Sequence, residues 1–390
     1  MTWSDRISPA VKSIPPSGIR RFFDIAAEMK GVISLGVGEP DFVTPWHIRE
    51  SCIYGLNRGY TSYSSNAGLL ELREEICKSL YQDYQVTYNP RTEVLVTVGV
   101  SEGLDLAMRA LLSPGDEVLI PEPCYVSYKS CVTLAGGVAV PVATTMENEF
   151  RITAGELEAF VTPHTKILLI GYPNNPTGAI MSRDDLAEIA LFAKKHDLIV
   201  ISDEIYAKLT YDGTHTCFAS LPDMAERTIV LNGFSKAYAM TGWRIGYAAS
   251  NPDFIAAMTK IHQYTMLCTP ITAQVAAIEA LKRGEKNVEQ MTAEYNQRRR
   301  LILEGFRKMG LDCFEPKGAF YLFPSIKNTG LTSLQFAEQL LQAEKVALVP
   351  GDAFGESGEG FIRCSYATST ANIKEALLRI GRFVESIKHR

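Results

Sequence analysis

Between residues 92 and 250 the chain alternates short runs of apolar, β-branched residues with segments that repeat apolar positions every three or four residues. EVLVTV, EVLIP, KILLIG, LIVIS and TIVLN read as strands, and SEGLDLAMRALL and SRDDLAEIALFAKKH as helices among them. Strands separated by helices in this way form βαβ units, so the region is expected to build a parallel sheet with helices on both faces. The helix after Ser182 carries the clearest signal: S-R-D-D makes a capping box, and Leu186, Ile189, Ala190 and Ala193 fall on one face. The runs at 167–170 and 198–202 flank it and are expected to be parallel neighbours joined by a right-handed crossover.

From about residue 285 the pattern changes. A charged helix, EKNVEQMTAEYNQRRRLILEGFRKM, is followed by GAFYLFPSI, a helix around 333–343, VALVP, FIRCSYA and a last amphipathic helix. This is an α+β arrangement. The reading is therefore α/β, a mainly parallel sheet sandwiched by helices with a smaller α+β domain: 1–45 as an N-terminal segment on the small domain, 46–284 as the large domain and 285–390 as the small one.

Composition narrows the function. With 390 residues, 46% hydrophobic and 21% charged, the chain can bury the cores of two or three domains and belongs to neither the disordered nor the fibrous classes. A net charge of −5 without a basic, aromatic-laced patch argues against nucleic acid as a partner. No stretch reaches the roughly 18 apolar residues of a membrane span, and MTWSDRISPAVKSIPP lacks a secretory apolar core, so a cytoplasmic location and no membrane partner are expected. Eight cysteines without a CxxC pair, and six histidines without ligand spacing, predict reduced thiols, no metal and no catalytic histidine. GVGEP lacks the third glycine and the following helix of a dinucleotide loop.

In open α/β sheets ligands bind outside the carboxyl ends of strands. Asn175 follows the strand at 167–170, Asp203 the strand at 198–202 and Lys236 the strand at 228–231, so an amide, a carboxylate and an amine are delivered to one edge. Singly each has an ordinary explanation: NPTG as a turn, Asp203 as a helix cap, Lys236 as a solvated charge. Together they suit a cofactor held as a Schiff base, because a desolvated lysine near another cation sheds its proton and becomes nucleophilic. Pyridoxal phosphate needs such a lysine, an acid against its ring nitrogen and a cradle for a dianionic phosphate. Gly99-Val100-Ser101-Glu102-Gly103, opening a helix after EVLVTV, supplies a cradle of N–H groups, with the Glu102 side chain expected to point away. Ser235 and Arg244 would complete it.

SDEIY, NGFSKAYAMTGWRIGY, YPNNPTG, SLGVGEPDF, TSYSSNAGLLELR and FIRCSYA together resemble the class I/II aminotransferases, fold-type I enzymes dependent on pyridoxal phosphate, over about residue 17 to the C-terminus. The resemblance implies that Lys236 carries the cofactor and moves the proton between Cα and C4′. It implies that Asp203 pairs with the ring nitrogen, that Asn175 and Tyr206 hydrogen-bond the 3′-oxygen, and that Tyr125 stacks on the ring. Val100, Ser101, Glu102, Ser235 and Arg244 would hold the phosphate, and Tyr63 would reach the phosphate of a second subunit, which implies a homodimer. Gly38, Asn175 and Arg363 would bind the substrate, Arg363 through the α-carboxylate. Some members carry serine three residues before the lysine, where this chain has Gly233. The implied reaction is ping-pong amino transfer from an aromatic, aspartate, alanine or N-acyl-diaminopimelate type donor to a 2-oxo acid. A C–S β-lyase and a non-catalytic, cofactor-sensing regulator are the alternatives. Ile19 is a candidate for shaping the pocket.

Overall fold

A computed structural model describes residues 3–15 and 29–388. Ile19 lies outside them. In chain order the strands are β1 Ile33–Ser34, β2 Val94–Thr97, β3 Glu117–Glu122, β4 Val138–Ala143, β5 Thr165–Gly171, β6 Ile199–Asp203, β7 Thr228–Gly233, β8 Gly246–Ala249, β9 Tyr321–Leu322, β10 Val346–Ala347, β11 Val349–Pro350 and β12 Ile362–Ser365. Seven of them form one sheet in the order β2-β8-β7-β6-β5-β3-β4. β3 to β7 are mutually parallel, and β8 lies antiparallel to both β2 and β7. The five runs read as strands are all present, and β5 and β6 are the expected parallel neighbours, with Leu168 opposite Val200.

Because successive side chains leave a strand on opposite faces, a run that is apolar throughout needs cover on both. Ile229 and Leu231 of β7 pack with Leu104, Ala107 and Met108 of the helix Gly99–Leu111, while Val230 joins Ala273, Ala276 and Ala277 of the helix Ile271–Arg283. The helix between β5 and β6 begins as its sequence requires. Ser182 accepts from Asp185 N–H at 3.1 Å and Asp185 returns the bond to Ser182 N–H at 2.9 Å.

Two strands of the central sheet were not foreseen. β4 is an edge strand that carries Pro141, and proline inside an apolar run argues against a strand unless the run lies at an edge. β8 is GYAA, too short and too small in its side chains to stand out.

The C-terminal region folds around a second sheet, β11-β12-β9, which is antiparallel throughout. VALVP does not make one strand: β10 pairs in parallel with β1, and β11 turns into the second sheet. The core under this sheet takes Phe306, Phe336, Leu340 and Phe383 from three helices, Leu35 from the N-terminal segment, and Tyr206 and Leu209 from the segment just past β6. The chain that leaves the central sheet at Asp203 is thereby fixed against the second one. Among the described residues no helix is long and apolar enough to cross a membrane.

Candidate active site

The carboxyl ends of β5, β6 and β7 open on a cavity of about 670 Å³. Gly38, Val100, Ser101, Tyr125, Asn175, Asp203, Tyr206, Ser235, Lys236, Arg244 and Arg363 all line it, so most of the residues picked from the sequence meet there.

Asp203 ends β6 and is buried. Its Oδ2 accepts from the Tyr128 hydroxyl at 2.8 Å and its Oδ1 from Ile205 N–H at 3.2 Å. Burial raises its pKa to about 6, against the pull of those two donors. The buried carboxylate, held by these two donors, is placed to pair with a protonated ring nitrogen.

Lys236 lies three residues beyond β7, and its Nζ donates to Gly38 O at 2.6 Å. Burial lowers its pKa to about 8, the Arg363 cation acts in the same direction, and Glu39 opposes both. A neutral, nucleophilic amine is thus accessible near physiological pH.

One end of the cavity is built from glycines and Arg244. Gly99 opens the helix at φ +76°, and a Cβ there would come within 2.7 Å of Arg244 Nη2. Arg244 is itself left-handed at φ 53° and donates to Thr241 O at 3.0 Å, which turns its guanidinium toward the helix start. Val100, Ser101, Ser235 and Arg244 thus surround one end of the cavity with backbone N–H groups, hydroxyls and a positive charge, the requirements of a phosphate dianion. Gly233, where a serine would supply a further hydroxyl, has no room for one: a Cβ would sit 2.9 Å from Gly246 Cα across the β7/β8 pair.

Glu102 behaves differently from its neighbours. Its carboxylate accepts from Val98 N–H at 2.5 Å and faces Nδ1 of the fully buried His262 at 2.7 Å. It neutralises the start of its own helix from the side away from the cavity. His262 escaped the sequence reading because a lone histidine in an amphipathic helix carries no pattern.

Arg363 projects from β12 and is buried. Its guanidinium lies between two rings, 4.5 Å from the centroid of Tyr321 and 4.7 Å from that of Phe354. Nη1 donates to Asn175 Oδ1 at 2.8 Å and Nη2 to Gly36 O at 2.5 Å, while Nε is buried and has no partner among the described residues. A fixed, under-bonded guanidinium in a cavity wall is suited to a carboxylate.

Tyr63, like Glu102, is not among the cavity-lining residues: it is 82% exposed, on a loop held by Gln274 to Ser64 at 2.9 Å and by Asn66 to Leu267 O at 2.6 Å. Tyr128, Ile205, Tyr321 and Glu39 line the cavity without having been picked out. Tyr128 had a signal, one helical turn after Tyr125 in EPCYVSY. Tyr321, an aromatic in a short apolar strand, had none.

A carboxylate, a depressed amine, a phosphate cradle and flanking phenols within one cavity fit pyridoxal phosphate in every polar group it presents. The family model for class I and II aminotransferases matches residues 30–380. The chain is 48% identical to an aspartate aminotransferase of Pyrococcus abyssi, covering all of both chains. It is 45% identical to aromatic-amino-acid aminotransferase 2 of Thermococcus litoralis, again over the whole of both. The crystal structure of an aromatic aminotransferase from Pyrococcus horikoshii superposes with a TM-score of 0.91 at 46% identity, covering 95% of this chain and 99% of that one.

Proposed function

The chain belongs to the class I and II aminotransferase family and is an amino-acid aminotransferase dependent on pyridoxal phosphate, and from that premise we propose an aromatic amino donor and a role for each cavity residue. When bound, pyridoxal phosphate supplies an electron sink for the charge left as a proton leaves the substrate Cα. Nζ of Lys236 would hold the cofactor through its aldehyde carbon and, as a neutral amine, would be the group that moves the proton between Cα and C4′. Asp203 would pair with the ring nitrogen and favour its protonated form. Tyr206 donates to the 3′-oxygen. Asn175 joins it through its amide N–H, because its Oδ1 already accepts from Arg363.

Tyr125 would cover one ring face, and Val100, Ser101, Ser235 and Arg244 would hold the phosphate. Glu102 contributes only its backbone N–H. Arg363 clamps the α-carboxylate, and Gly38, whose Cβ would collide with the Tyr321 hydroxyl, lets the backbone close over the substrate. Tyr63 is assigned to the phosphate of a second subunit, so the active unit is a homodimer. Supporting this, Tyr54, Tyr60, Tyr63 and Tyr264 are large, exposed aromatics of the kind that fill interfaces. Eight unpaired cysteines suit a reducing compartment such as the cytoplasm. The division into segments 1–45, 46–284 and 285–390 belongs to the same reading.

The observation behind the donor is the cavity's charge count. Lys236, Arg244 and Arg363 are its cations among the described residues, each already assigned, and the rest of the wall includes Tyr125, Val126, Pro173, Ile205 and Tyr321 with the carboxylate of Glu39. A donor with an aromatic side chain meets apolar wall there, whereas a second carboxylate would meet Glu39. A panel of amino donors against 2-oxoglutarate tests this. Phenylalanine and tyrosine should exceed aspartate in kcat/KM by about tenfold or more. Aspartate at the head of the panel would overturn the reading, as would pyruvate and ammonia released from cystathionine faster than any amino transfer.

A further inference from the structure

Tyr321 is assigned above only as cavity wall, yet it touches three residues with assigned roles. Its hydroxyl lies 2.7 Å from that of Tyr206, with both residues buried at 1% and 5% exposure. Its ring carries the Arg363 guanidinium at 4.5 Å. Its hydroxyl also packs on Gly38, where a Cβ would collide with it, so the segment supplying Gly36 O to Arg363 and Gly38 O to Lys236 is seated on this phenol.

We propose that Tyr321 is a positioning residue whose hydroxyl donates to Tyr206, leaving the single Tyr206 hydrogen for the cofactor's 3′-oxygen, while its ring forms one wall of the slot that holds Arg363. The inference rests on the assignment of Tyr206 to that oxygen. A phenol has one hydrogen and two acceptor sites. Between two isolated phenols either can donate. Once Tyr206 commits its hydrogen to the ring oxygen, its own oxygen can only accept, and Tyr321 is the donor within reach. Donors linked in series polarise one another, so the Tyr321 bond strengthens the one that Tyr206 makes. The cation held against the Tyr321 ring favours the same direction, because it draws electron density from the phenol and makes its hydrogen a better donor.

The arrangement also joins the two sheets. Tyr206 follows β6 of the central sheet, whereas Tyr321 lies in β9 beside β12, the strand of Arg363. A shift of the second sheet would therefore disturb the carboxylate clamp and the ring-oxygen donor together.

The test is a pH titration of the bound cofactor's visible absorbance in the holoenzyme. A hydrogen bond to the 3′-oxygen favours the deprotonated chromophore, so weakening the bond moves the midpoint to higher pH. Tyr206→Phe should raise the midpoint by about 1 to 2 pH units. Tyr321→Phe should raise it by roughly 0.3 unit. The double variant should match Tyr206→Phe alone, since Tyr321 acts only through Tyr206. Tyr321→Leu, which removes the ring as well, should raise KM for the amino donor beyond the value in Tyr321→Phe.

A Tyr321→Phe midpoint equal to that of the wild type overturns the proposal, and so does an equal shift with and without Tyr206. A Tyr206→Phe midpoint equal to wild type removes the earlier assignment and the relay with it. Tyr321→Phe loses one oxygen and keeps the packing, so these readings hold even where the leucine variant folds poorly.

Discussion

The two sheets serve the cavity in different ways. The central sheet delivers chemistry from the loops just past its strand ends: Asn175 after β5, Lys236 after β7, and Asp203 as the last residue of β6. The second sheet delivers it from inside its strands, with Arg363 in β12 and Tyr321 in β9. A loop residue is free to be polar and is backed by the turn chemistry around it. A strand residue must also satisfy the packing of both faces, and Arg363 does so by lying between two rings.

Breaking the second sheet's contribution should have the largest effect. Arg363→Ala removes one partner of a buried charged contact and releases Asn175 and Gly36 O, so kcat/KM for amino donors should fall by about 10²- to 10³-fold. Cofactor binding, measured by absorbance, should remain within a few-fold, because the guanidinium is assigned to the substrate and not to the cofactor.

The central sheet's contribution is broken through its backbone. At Gly246 a Cβ would lie 2.8 Å from Val100 N and 2.9 Å from Gly99 C, atoms that cannot rotate away. Gly246→Ala should displace the cradle, weakening cofactor affinity about tenfold or more and costing about 1–3 kcal/mol of stability in denaturant unfolding. KM for the donor in the saturated holoenzyme should change least.

The smallest effect is a matter of pH. Lys236, lowered to about 8 mainly by burial, would have to be neutral to take up the cofactor's aldehyde in its assigned role. The rate of cofactor uptake by the apoprotein, followed by stopped-flow absorbance, should rise with pH through about 8 and level off above it. A rise continuing toward the pKa of an ordinary lysine, about 10.4, would mean that the amine is solvated.

The same contrast explains what could be read from the chain. The Ser182–Asp185 box and the one-face pattern Leu186, Ile189, Ala190, Ala193 are local, so the helix between β5 and β6 was legible to its first residue. Asn175, Asp203 and Lys236 were legible because strand, turn and polar residue recur in order. β4 was hidden by Pro141 and β8 by its small side chains, since their pairing is decided by neighbours distant in sequence. The split of VALVP between β10 and β11 was hidden for the same reason. Tyr321 and His262 acquire meaning only from Tyr206, Arg363 and Glu102, which tertiary packing brings to them.

The central claim is that the amine at the end of β7 holds the cofactor. Reduction of the holoenzyme with borohydride, proteolysis and mass spectrometry of the peptides test it directly. The account predicts the cofactor's mass on the peptide containing Lys236, and its loss from that peptide's counterpart in Lys236→Ala. Cofactor fixed to any other lysine would contradict it.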